Sequence, residues 1–167
     1  MNGMIEANFN KAKEEAGRLL YRHQIYEPPV IPQDLGDRMG LAIKYIKLEE
    51  EFKNIAGYLD INKRVIFVNS DDSPNRQNFT VAHELGHWVL HKEQFLENPN
   101  ESVVLLRQSL DKNVCSSAIE QEANCFAANL LVPNSWLLKY RDFANIKQLA
   151  RLFMVSEDVV RFTLESL

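Results

Sequence analysis

TVAHELGHWVLH, residues 80 to 91, carries three of the chain's four histidines on what reads as successive turns of one helix. His83, Glu84 and His87 spell HExxH. Helical residues four apart lie about 40° apart in azimuth and about 6 Å apart along the axis, so the two imidazoles converge on one point. Glu84 follows His83 and reaches a water held at that point. The chemistry needs these residue types. Neutral imidazole is a good zinc ligand, zinc lowers the pKa of its water toward about 7, and a nearby carboxylate passes the proton to a leaving amine. The spacing predicts zinc on His83 and His87, with Glu84 as the catalytic base. Gly86 costs about 1 kcal/mol against alanine inside a helix. That cost predicts a close approach there by a strand or a substrate backbone.

Upstream, apolar residues at helical spacing over 4 to 26, among them Phe9, Ala12, Ala16 and Leu19, predict a first helix that Pro28 and Pro29 end. Ile31 to Met39 reads as a second, short helix with Gly40 in the C′ position. Beta-like runs follow at 41 to 46, near 53 to 59, and at 64 to 69, where RVIFVN is rich in β-branched and aromatic residues. DINK, 60 to 63, reads as a hairpin turn, and RVIFVN as an edge that could hold an extended peptide by strand addition. SDDSPN, 70 to 75, offers caps for the HExxH helix, expected over 76 to 91. Residues 92 to 117 lose periodicity and read as a long, partly ordered connection that can wall a site. Helicity resumes over 117 to 132 and stops at Pro133, and the tail reads as two or three short helices. The expected fold is α+β. An N-terminal helix precedes a small three-stranded, mainly antiparallel sheet packed on the HExxH helix, and a C-terminal helical bundle follows.

Composition narrows the function classes. A chain of 167 residues with 46% apolar content suits one domain with a proper core. Cys115 and Cys125 form no CxxC pair, read as inert, and fit a reducing compartment. The N-terminal stretch lacks the apolar core of a signal peptide, and no run has the roughly eighteen apolar residues of a membrane span. A cytoplasmic location without a membrane partner is expected. Net charge −4 gives no global attraction to nucleic acid.

A hydrolytic zinc site usually has three protein ligands. The longer motif HExxHxxGxxH would place Gly at 90 and His at 93, where Leu90 and Glu93 stand. His91 lies about 12 Å beyond His83 along a straight helix, which is the right face at the wrong height. It reads as a helix-end hydrogen bonder or as a group supporting a ligand. Downstream, IEQEAN offers Glu120 and Glu122, about 200° apart on a helical wheel. Glu120 lies nearer the apolar face, and Asn124, one turn on, can hydrogen-bond a ligand. Glu122 reads as a solvated helix residue. Arg107, Tyr58 and Tyr140 are candidate oxyanion donors that could equally be structural. Arg76 reads as an anchor of the helix start.

NRQNFTVAHELGHWVLH followed by IEQEANCFAANLLVP resembles the ImmA/IrrE family of zinc metallopeptidases. The family pattern runs roughly R-x-x-F-T-x-A-H-E-x-G-H, then E-x-x-x-N-x-x-A-x-x-L-L-x-P. PPVIPQDLGDRMGLAI and RVIFVNS extend the resemblance over nearly the whole chain, and Val132 departs from the methionine common before the proline. It implies a thermolysin-like hydrolase, with Zn2+ on His83, His87 and Glu120 and with Glu84 as base. The family's glutamate ligand precedes its motif asparagine by four, which selects Glu120. The implied substrate is a helix-turn-helix repressor of phage-like, stress-response or antitoxin-like kind. The alternative is a non-catalytic, metal-containing partner that sequesters such a regulator. The expected division is a metallopeptidase core over 1 to 133 and a C-terminal helical subdomain of helix-turn-helix-like character over 134 to 167. Residues 139 to 167 carry five basic and four acidic groups, so direct DNA binding is not expected, and packing or substrate recruitment is. Nothing in the sequence fixes the oligomeric state.

Overall fold

The computed structural model describes residues 6–98 and 117–167. Asn8 accepts from the Lys11 N–H and opens α1 (Phe9–Arg22), which buries the stripe Ala12, Ala16, Leu19 and Leu20. α2 (Pro32–Arg38) begins on proline, whose missing N–H leaves nothing unpaired in a first turn. Gly40 follows its end at φ 77°, a left-handed conformation that glycine takes without a Cβ penalty. Then come β1 (Ala42–Ile46), a short 3-10 turn, β2 (Gly57–Asp60), β3 (Val65–Asn69) and α3 (Pro74–Glu97). The remaining helices are α4 (Ala118–Leu131), α5 (Asn134–Tyr140), α6 (Ile146–Phe153) and α7 (Glu157–Glu165).

The architecture is the expected α+β one, with a strand order of β1-β3-β2. The sheet is mixed. β3 pairs parallel with β1 and antiparallel with β2. The 60–63 turn makes the antiparallel ladder, closed by the Lys63 N–H donating to Asp60 Oδ1 at 3.0 Å. β3 holds the centre because it is apolar on both faces, with Val65, Ile66 and Val68 all buried. RVIFVN is therefore not an edge. The free edge beside α3 belongs to β2, where the Asn69 N–H donates to Ala56 O at 2.8 Å. Antiparallel alternation from that bond turns the N–H and C=O of Gly57 and Leu59 outward.

α3 runs longer than expected at both ends. Ser73 caps it, and the stretch to Glu97, expected as irregular chain, is helical and buries Phe95. Of the connection expected over 92 to 117, most falls outside the described residues, as do Arg107 and Cys115. Ser117 caps α4 by accepting from the Glu120 N–H. The tail packs into the main core, with Leu137, Leu149, Phe153 and Val160 in the same buried cluster as Leu85 and Ile66. The turn between α6 and α7 docks on the first turn of α3. There the Asn75 and Asn78 side-chain amides donate to Val155 O at 3.0 Å and Met154 O at 3.2 Å. No helix among the described residues is long and apolar enough to cross a membrane.

Gly57 sets how closely β2 lies on α3. A Cβ there would sit 2.4 Å from Phe67 O and 2.6 Å from Thr80 Cγ2. Neither neighbour is the loose end of a long side chain. Gly57→Ala is expected to lower the unfolding free energy by about 2 kcal/mol through overpacking, measured by urea denaturation. An unchanged midpoint would show that the strand can move aside freely.

Candidate metal centre

α3 and α4 cross at Gly86. A Cβ there would lie 3.1 Å from Phe126 Cδ1 and 3.2 Å from both Cα and O of Ala123. The close approach expected at this glycine is real, but it comes from the facing helix rather than from a strand or substrate. From this crossing α4 carries Glu120 to the histidine pair. His83 Nε2 lies 3.1 Å from Glu120 Oε2, and His87 Nε2 lies 3.1 Å from Glu120 Oε1. The two Nε2 atoms are themselves 3.1 Å apart. Ligands at roughly 2.0–2.1 Å from a tetrahedral zinc stand about 3.3 Å from one another. Two imidazoles and a carboxylate at these separations fit such an ion, and they form the group among the described residues that could hold one.

The outer imidazole nitrogens are also engaged. His83 Nδ1 lies 2.9 Å from Asn124 Oδ1. His87 Nδ1 lies 3.1 Å from His91 Nδ1, and His91 Nε2 lies 2.8 Å from Glu122 Oε2. Glu122 is not the solvated residue that the helical wheel suggested. Its side chain is 15% exposed, and its other oxygen accepts the Asn8 N–H at 2.6 Å. Its signal in the sequence was the histidine stripe: a third imidazole one turn beyond the pair calls for a partner.

Burial shapes the charges. It pushes the Glu84 carboxyl up to about 7, with Glu120 adding to the rise and the charge of His83 and the Leu59 N–H opposing it. Burial likewise brings the His87 imidazole down to about 4, against the pull of Glu120. At Glu120, burial works upward, but hydrogen bonds with His83 and His87 outweigh it and hold the carboxyl well below its ordinary range. The same partnership overcomes burial at His83 and raises its pKa. Glu120 thus favours positive charge at both imidazoles, while the imidazoles oppose each other's protonation.

Over this centre opens a cleft of about 910 Å³, lined by Tyr58 and Leu59 of β2, Phe79 and Phe95 of α3, and Val159 of α7. The wall made by Leu59, Phe79 and Val159 has no signature in the sequence, because residues from three distant segments meet only in the fold. Tyr58 faces the cleft while stacking on Phe67 at 4.8 Å. Tyr140 instead packs edge-on against Phe153, at 6.4 Å between ring centroids. Arg76 pairs with Asp72 at 3.1 Å, as an anchor of the helix start would.

A family model described as the IrrE N-terminal-like domain, Peptidase M78, matches residues 37–165. Among solved structures the chain is similar to a Mycobacterium tuberculosis transcriptional regulator, at 18% identity and a TM-score of 0.65. The match covers 92% of this chain and 55% of that one, so this chain spans about half the length of its structural neighbour. At that identity the likeness is one of fold. No curated protein matches the chain.

Two measurements probe the centre. Glu120→Ala is expected to abolish stoichiometric zinc in the purified protein, whereas Glu122→Ala retains it; mass spectrometry under native conditions reads both, and the reverse pattern would exchange their roles. Gly86→Ala sets a helix-propensity gain of about 1 kcal/mol against an overpacking cost of about 1–3 kcal/mol. A small net loss of stability is expected, with weaker zinc binding as α4 is pushed outward. Unaltered zinc affinity would mean that the crossing does not set the position of Glu120.

Proposed function

The chain belongs to the IrrE N-terminal-like family of M78 peptidases, and from that premise we propose that it is a zinc-dependent endopeptidase that inactivates a helix-turn-helix repressor by limited cleavage. The observation that carries this reading is the triangle of His83, His87 and Glu120 donor atoms, with buried Glu84 beside it and the cleft above it. These three side chains would hold the ion, which supplies Lewis acidity that polarises a carbonyl and acidifies water.

The chain's own groups do the rest. An extended peptide can pair with the outward N–H and C=O of Gly57 and with the C=O of Leu59, whose N–H is held by Glu84, which lays its backbone along the cleft. Leu59, Phe79, Phe95 and Val159 offer apolar side chains to it and keep bulk water away. Glu84 takes a proton from the attacking water as its oxygen bonds to the scissile carbonyl carbon. The C–N bond then breaks, and Glu84 returns the proton to the departing amine. The tail, 134 to 167, we assign to substrate recruitment, since its last helix reaches the cleft wall at Ser156 and Val159. The repressor class rests on the resemblance in the motifs, and the fold shared with a transcriptional regulator is in keeping with it. A cytoplasmic site of action follows from such a substrate.

Glu84→Ala is expected to fold and bind zinc while cutting a helix-turn-helix repressor roughly a thousand-fold more slowly, followed by intact-mass analysis of co-expressed pairs. Undiminished cutting would remove Glu84 from the chemistry. If the zinc-loaded parent instead forms a stable stoichiometric complex and cuts nothing, the protein is a sequestering partner.

A further inference from the structure

One buried imidazole takes no part in the reaction described above. His91 is 4% exposed, lies one turn beyond His87 on α3, and meets a polar atom at each ring nitrogen. Ligation at His87 would set where the protons sit along these contacts. If His87 offers Nε2 to the ion, its neutral ring carries the proton on Nδ1. Among the described residues, the hydrogen-bond partner of that N–H is His91 Nδ1, 3.1 Å away, which is bare when it accepts that proton. The His91 proton is left on Nε2, where it donates to Glu122 Oε2 at 2.8 Å. All the bonds then point the same way, from the ligand outward to a carboxylate.

That carboxylate is itself fixed. Glu122 Oε1 accepts the Asn8 N–H at 2.6 Å, at the start of the 14-residue helix α1. Negative charge is favoured there, where unpaired N–H groups gather at the positive end of the helix dipole. Phe95 covers the relay, with its ring centroid 6.0 Å from those of both His87 and His91. Little water can compete for the bonds beneath it, so they are electrostatically strong. His83 Nδ1 meets the amide oxygen of Asn124 rather than an imidazole backed by a carboxylate, so the two imidazoles of the centre are supported differently.

We propose that His91 and Glu122 are positioning residues, a two-member relay, anchored on the residue that caps α1, that fixes the ring of His87 and raises its strength as a metal ligand. The inference rests on ligation by His83, His87 and Glu120 as proposed above, and it links α1 to the centre through two hydrogen-bonded side chains.

Zinc affinity by chelator competition, with nitrogen-15 NMR of the histidine rings in the zinc-loaded protein, tests it. His91→Leu is expected to bind zinc roughly 10–100-fold more weakly. His91→Asn keeps an acceptor for the His87 N–H and should recover most of that loss. Glu122→Gln keeps an acceptor for His91 and should fall between the parent and Glu122→Leu. In the parent protein, His91 is expected to be neutral with its proton on Nε2, a readout that needs no variant to fold. A proton on His91 Nδ1, or parental zinc affinity in His91→Leu, would overturn the relay. A parent that binds no zinc, or a Glu120→Ala variant that binds it as tightly as the parent, would overturn the ligand assignment and the relay with it.

Discussion

The contact between Gly86 and the backbone of Ala123 is the constraint on which the centre depends. Two helices approach as closely as these only where one has no side chain at the crossing. The close packing places Glu120, one turn before Ala123, level with His83 and His87. A side chain at position 86 would spread the helices and open the triangle of donor atoms. The glycine works against helix propensity, and what it permits is the meeting of groups more than thirty residues apart in sequence. The same crossing sends Glu122 to the other side of the contact, where it meets His91. One close approach thus sets both carboxylates.

Most of the helical chain was legible because its signals are local, the end of α3 after His91 being the exception. Asn8, Ser73, Ser117, Asn145 and Ser156 cap the helices that follow them, and Gly40 marks the end of α2 through its positive φ. The order of the strands was not legible. RVIFVN has the composition of a strand wherever it lies, and only its burial on both faces shows that it sits in the middle. The sheet's parallel ladder is equally hidden, since it depends on which side of β3 the chain returns to.

The centre was legible to the extent that helical periodicity reaches. HExxH spacing brings His83 and His87 together within one helix, and the wheel turns Glu120 toward the buried side of α4. What periodicity cannot supply is the relation between two helices. The wheel described Glu122 as solvated because it described α4 alone, without α1 and His91 against it. The apolar wall of the cleft stayed hidden for the same reason, since β2, α3 and α7 contribute one or two residues each.

The outward edge of β2 has a consequence for the protein's behaviour in solution. An unpaired strand edge invites copies of the same chain to add to it and to propagate as an aggregate. This edge is only four residues long, and the paired charges of Asp60 and Lys63 close its far end at 3.2 Å. Helix α3 packs closely along it, with Thr80 Cγ2 2.6 Å from where a Cβ on Gly57 would sit. A short edge closed by paired charges is a poor template for the strand of another copy, so the groove that would grip a substrate carries its own guard against self-association.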